Sequence, residues 1–269
     1  MIFRKTILIL FAAWLFTAAC DFNHGISPLP GKLKVRVIYR GAAPANTQGI
    51  YLVVAPVFPP HAINELYHSP NGLPFLQDTI FTEMDLPYGH YDSYALWWYS
   101  NDTKSNLADI LAMPLDASNS LLPASFDVTA QKPVVEKTLY ANLNRLNRPS
   151  AIKGTIYFNG PFPPNTLATA IAAFKLKPEE GIHFLLYLRA IDFSIEENPY
   201  HYNLPIQAGG VNFIAVFWLA ERAALTDFKT VGVYLDPTNP TQPGRLNLKD
   251  GETVEGVDIY ADWSVVAGK

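Results

Sequence analysis

Gly41-Ala42-Ala43-Pro44-Ala45-Asn46-Thr47 returns 119 residues further along as Gly160-Pro161-Phe162-Pro163-Pro164-Asn165-Thr166. Leu86-Pro87 matches Leu204-Pro205 at an offset of 118. From there the offset settles at 120, pairing Gly89 with Gly209, Ala95 with Ala215, Trp98 with Trp218, and Leu115-Asp116 with Leu235-Asp236. It goes on to pair Asn119 with Asn239, Pro123 with Pro243, Val134 with Val254, and Tyr140-Ala141 with Tyr260-Ala261. Self-similarity at a fixed period decides architecture before any reading of secondary structure. This is a tandem duplication, with units at 31–147 and 150–269, each of ordinary domain size. The boundary, Asn144-Arg145-Leu146-Asn147-Arg148-Pro149-Ser150, is polar and broken by proline, and is too short to let the units tumble freely.

Within each unit the apolar segments are short, rich in β-branched and aromatic residues, and separated by Pro, Gly, Asn and Asp. In paired order they are 32–39 and 152–158, 49–57 and 167–176, 79–84 and 199–202, and 91–99 and 211–219. The last three pairs are 110–115 and 230–235, 125–128 and 245–248, and 134–143 and 254–263. Helical periodicity is confined to two short stretches, 193–198 and 220–227. Packing two sheets face to face is the natural way to bury such strands. The expected fold is all-β, with two tandem seven-stranded antiparallel β-sandwich domains of transthyretin-like or immunoglobulin-like type.

The transthyretin-like expectation rests on a resemblance to the carboxypeptidase-regulatory type of β-sandwich. A first strand ends in glycine, a proline turn follows, then a Leu-Pro-x-Gly-x-Tyr step, Asp85-Leu86-Pro87-Tyr88-Gly89-His90-Tyr91 in the first unit. In the second unit that step reads Asn203-Leu204-Pro205 through Gly209-Gly210-Val211, with one residue inserted. The closing strand, Val257-Asp258-Ile259-Tyr260, completes the likeness. It implies a fold, since sandwiches of this kind serve many functions. Transthyretin-like pairs can also assemble around a small-ligand channel. The hydroxyisourate hydrolases among these relatives end in Tyr-Arg-Gly-Ser, whereas this chain ends Val265-Val266-Ala267-Gly268-Lys269, so that activity is not implied.

At the N-terminus, Arg4 and Lys5 precede an apolar run from Ile7 to Phe16, then Thr17-Ala18-Ala19-Cys20. The run is shorter than the roughly 20 residues of a spanning helix and has the flanks of a signal peptide. Ala18-Ala19-Cys20 resembles the lipobox of bacterial lipoproteins, with Thr17 where leucine is usual. Residues 1–19 are thus expected to be a lipoprotein signal peptide, Cys20 the site of lipidation, and 20–30 a tether. Cys20 is the only cysteine of the 269 residues and has no partner for an internal disulfide. Loss of Arg4 and Lys5 leaves 18 basic against 24 acidic residues, a net charge of −6. Nucleic-acid binding needs the opposite balance, and the membrane contact falls to the lipid. The expected place is the cell envelope.

Catalytic signals are few. There is no Gly-x-Ser-x-Gly elbow and no glycine-rich phosphate loop, and no cofactor is called for. His61, Glu65 and His68 are the one set close enough in sequence to suggest a metal or a catalytic cluster. Asp116 with Asn119 and Asp236 with Asn239 offer oxygens at the same place in both units, which fits either a calcium ion or side-chain-stabilised turns. The strand 91–99 carries Ser93, Ala95 and Trp97 on one face and Tyr94, Leu96 and Trp98 on the other, apolar on both sides. Its repeat sets Phe213, Ala215 and Phe217 against Ile214, Val216 and Trp218. A sandwich strand normally buries one face only. Either the 59–77 and 177–198 insertions or the partner unit cover the second face, or it binds something. Tyr94, Trp98 and Trp218 are the candidate ligand-contact aromatics, for a glycan, a peptide or an envelope protein.

Overall fold

Leu33, Val35, Val37 and Tyr39 alternate with Lys34, Arg36 and Arg40, and burial along Gly31–Arg40 follows the same period of two. In the computed structural model this is strand β1; the structure describes residues 30–60, 63–100, 107–179, 183–221, 223 and 227–266. The first unit continues with β2 (Thr47–Ala55), β3 (Tyr67–His68), β4 (Thr79–Leu86), β5 (Gly89–Tyr91), β6 (Ser93–Ser100), β7 (Ile110–Ala112), β8 (Phe126–Val128) and β9 (Val134–Asn142). The second holds β10 (Ser150–Phe158), β11 (Thr166–Phe174), a short helix α1 (His183–Tyr187), β12 (Leu188–Asp192), β13 (Tyr200–Ile206), β14 (Gly209–Val211), β15 (Phe213–Ala220) and β16 (Lys229–Val233). It closes with β17 (Leu235–Asp236), β18 (Asn239–Pro243), β19 (Leu246–Leu248), β20 (Thr253–Val254) and β21 (Ile259–Ala261).

In the first unit a three-stranded sheet, β4-β1-β9, packs on a four-stranded one, β3-β2-β6-β7, and a small β5-β8 ribbon flanks them. The second unit repeats both, as β13-β10-β21 and β12-β11-β15-β16. The all-β sandwich expected from the repeat is present, with seven strands in the two main sheets of the first unit. One detail differs from a purely antiparallel sandwich. β1 runs parallel to β9, and β10 parallel to β20 and β21, because the first and last strands of each unit lie side by side.

Register shows how closely the units agree. Ile50 faces Trp98 across β2 and β6, and Thr169 faces Trp218 across β11 and β15, with a bulge at the same place in each pair. Leu96 meets Ala112 as Val216 meets Gly232. The Leu-Pro match, however, is two residues out. Leu86 and Ile206 both end their strands, opposite Gly31 and Ser150, so Leu204-Pro205 lies inside β13 and no residue is inserted. Pro205 is tolerated there because β13 is an edge strand.

Two glycines account for the main departures from the repeat. Gly232 stands where the first unit has Ala112, and a Cβ on it would come within 3.0 Å of the Ala261 backbone. Without one, β16 reaches β21, and the two sheets of the second unit join into a single eight-stranded sheet. Gly256 takes φ +76° between β20 and β21, interrupting the closing strand that the sequence presents as one segment. The expected helical stretch 193–198 is irregular; the helix lies just upstream at His183–Tyr187, and 220–227 falls partly outside the described residues.

Candidate functional site

Each unit has its own core. One buried cluster runs from Leu33 to Leu146, another from Ile152 to Val266. Trp98 belongs to the first, 3% exposed, and Trp218 to the second, 4% exposed. Their indole N–H groups donate to the hydroxyls of Thr47 at 2.9 Å and Thr166 at 2.7 Å, the same bond in both units. Tyr94 is equally buried, edge-on to Phe126 at 5.6 Å. The expectation that Tyr94, Trp98 and Trp218 contact a ligand is therefore corrected. They sit on the inward face of their strands, and a one-residue step along a strand exchanges the two faces.

The outward faces carry the unusual feature. On the second unit, Phe213, Ala215 and Phe217 of β15 join Ala170, Ala172 and Phe174 of β11 in a third buried cluster. Phe184 of α1 caps it, 5.0 Å from Phe174 and 5.2 Å from Phe228. Leu107 and Ala108 of the first unit pack against it as well. The second apolar face is thus covered, partly by the 177–198 insertion and partly by the other unit.

On the first unit the equivalent face is not filled. Ala55, Ser93, Ala95 and Trp97 form one wall of a cavity of about 380 Å³, and Ala168, Phe184, Leu219 and Phe228 of the second unit form the other. Trp97 is half-buried, and its Nε1–H is buried with no acceptor. Beside this cavity the linker is tied to the first unit. Arg148 donates from one guanidinium nitrogen to the carbonyl of Ala108 and to Oδ1 of Asp109, both at 2.9 Å, with Asp109 1% exposed. The same guanidinium lies 6.0 Å from the Trp98 ring centroid. Gln207 adds a side-chain bond to the Arg145 carbonyl. A second crevice of about 660 Å³, mixed in character, opens next to Arg148, lined by Asn46, Asn147, Asp192 and Asn203 together with Trp98, Ile191 and Phe193.

No family model and no curated protein matches the chain. Among solved structures, a leucine-rich repeat protein of Bacteroides thetaiotaomicron is 10% identical, with a TM-score of 0.33, over 87% of this chain and 26% of its own. This chain thus spans about a quarter of that protein's length. A Bacteroides ovatus protein described as a candidate adhesin is 9% identical (TM-score 0.26) over 82% of this chain and 91% of its own. The minor pilin of Streptococcus agalactiae is also 9% identical (TM-score 0.24), over 85% and 95%. Likeness at this level assigns no function, so the reading rests on the chain's own side chains.

The remaining candidates are quickly placed. Glu65 and His68 are both exposed, and His68 Nδ1 lies 3.0 Å from the Ser69 carbonyl; His61 falls outside the described residues. Among the described residues no three His, Cys, Asp or Glu side chains converge as metal ligands would. Asp116 Oδ1 accepts from the backbone N–H of Ser118 and Asn119, and Asp236 Oδ1 from those of Thr238 and Asn239. The Ser118 and Thr238 hydroxyls donate to the same oxygens, and these bonds first, then the backbone ones, lower both carboxyls below the usual value and commit them to the turn. Cys20 and the whole leader lie outside the described residues, among which no helix is long and apolar enough to cross a membrane.

Among the described residues, His90 is the one histidine set between two carboxylates, Asp127 at 2.8 Å and Asp92 at 3.1 Å. The hydrogen bond to Asp127 raises its pKa above the ordinary 6.5; desolvation opposes it, and the charges of Asp127 and Asp92 add to the rise. A raised imidazole contributes stability that is fully present below its unfolded value and is lost as pH rises through its folded one. Replacing His90 with Gln is therefore expected to lower the melting temperature below pH 6.5 and to leave it unchanged well above neutrality. With the side chain 54% exposed, the effect is under about 1 kcal/mol.

Proposed function

We propose that the chain is a lipid-anchored protein of the bacterial cell envelope in which two tandem β-sandwich units, 31–147 and 150–269, act together as one non-catalytic binding or structural module. The observation that carries this reading is that the outer sheet faces of the two units turn toward each other, with Leu107 and Ala108 of the first packed against the aromatic cluster of the second. Shared register in both units supports the duplication, and cores drawn each from a single unit support the boundaries. The transthyretin-like kinship is part of the same proposal.

The surfaces left for a glycan, peptide or envelope-protein partner are the outward faces of the three-stranded sheets. Tyr140 and Tyr260 occupy the same place in the repeat and are 69% and 77% exposed. Phe81 stands on the same sheet face as Tyr140, and Tyr157 stacks on Tyr260 at 5.1 Å. Exposed aromatics at a repeated position suit contact with a partner better than with water.

Anchoring is testable without knowing that partner. In cells fed labelled palmitate, the wild-type chain is expected to take up label and to fractionate with membranes. Cys20→Ser is expected to abolish the label and to move the cleaved protein to the soluble fraction. A Cys20→Ser protein with its leader removed that still sediments with membranes would end the lipoprotein reading.

A further inference from the structure

The inter-unit cavity has a feature that the duplication itself exposes. At the positions where the second unit fills its outer face with Phe174 and Phe213, the first has Ala55 and Ser93. Register makes these true equivalents, since Ala55 faces Ser93 across β2 and β6 as Phe174 faces Phe213 across β11 and β15. One copy of the sheet face is packed solid and the other is hollow. An apolar hollow lowers stability, because its walls lose dispersion contacts that a ligand would restore.

The chemistry of the walls limits what can enter. No charged side chain lines the cavity among the described residues. Among the described residues, its polar side chains are Ser93 and Trp97, and the Trp97 indole nitrogen is enclosed by protein and does not open onto the space. The volume lies within the range of small-molecule sites, which favour domain interfaces and combine apolar walls with very few polar groups. An ionised headgroup would find no counter-charge inside and would have to stay in solvent.

From this geometry we infer that the cavity between the units is a binding site for an uncharged, largely hydrocarbon molecule, an acyl ester being the simplest case. Both units build the site, so neither would form it alone. The inference deepens the binding-module reading and stands apart from the lipid at Cys20, which is read out separately.

The test uses the full chain in its own membrane vesicles, exposed to a medium-chain fatty acid methyl ester bearing a diazirine on its chain. After irradiation, peptide mass spectrometry is expected to find label on β6 around Ser93–Trp97 and on Phe184–Leu185. Ala168→Phe, which fills the cavity, is expected to remove that label while membrane fractionation through Cys20 persists. Ala95→Leu does the same from the opposite wall, should Ala168→Phe fail to fold. Label that never reaches these peptides, or that persists in both filled variants, would overturn the site.

Discussion

Truncating Trp98 or Trp218 to alanine is expected to cost about 3–5 kcal/mol of folding stability. That is a large share of the roughly 5–15 kcal/mol that holds a domain folded. Both rings are almost wholly buried, each against its own core, and neighbouring strands cannot collapse fully into a vacancy that size. The two losses should be nearly equal, because each ring has the same register and gives its N–H to the threonine of the repeated turn. Phenylalanine at either position keeps most of the volume and forfeits the hydrogen bond, a loss of about 1 kcal/mol beyond the smaller ring. Guanidinium titration followed by circular dichroism measures all four variants. Leu76→Ala serves as the surface control, since Leu76 is 92% exposed and should shift the midpoint by less than about 0.5 kcal/mol. An unchanged midpoint for Trp98→Ala or Trp218→Ala would return the tryptophans to the list of ligand contacts.

The same two residues show how far the sequence could be read. Strand positions followed from short runs of β-branched and aromatic residues set between Pro, Gly, Asn and Asp, which is a local property. Which face of β6 or β15 points inward is not local when both faces are apolar. The missed clue was the threonine. Thr47 and Thr166 are retained in the repeated turn together with Trp98 and Trp218, as a buried donor and its acceptor must be. The Leu-Pro match misled for another reason: proline on an edge strand breaks no ladder bond, so its position could drift by two residues without a structural signal. The edge strands β3 and β12 went unseen because they are short or follow an irregular insertion. The cavity was out of reach altogether, since it depends on how two units meet.

Arg148→Ala is expected to be as damaging as losing a core tryptophan, by about 3–5 kcal/mol, because it removes the cation from a buried carboxylate. Asp109 is 1% exposed and the Arg148 side chain 13%, so water can do little to replace the lost partner. The Ala108 carbonyl loses its donor in the same step. The arginine does not make its full set of bonds, however, since its Nε is buried with no acceptor. A pair so incompletely compensated need not be more stable than apolar residues in its place. Arg148→Met combined with Asp109→Leu is accordingly expected to recover most of the stability lost by Arg148→Ala. What the double variant should not recover is the fixed course of the linker along the first unit, from which the second unit starts, since methionine and leucine pack without the directionality of two hydrogen bonds. Fluorescence-detected denaturation is expected to be less steep for Arg148→Ala, as the units begin to unfold separately. Photolabelling of the inter-unit cavity should fall in the double variant even where its midpoint is normal. Full labelling at a normal midpoint would mean that packing of Leu107 and Ala108 sets the interface, with the ion pair only filling it.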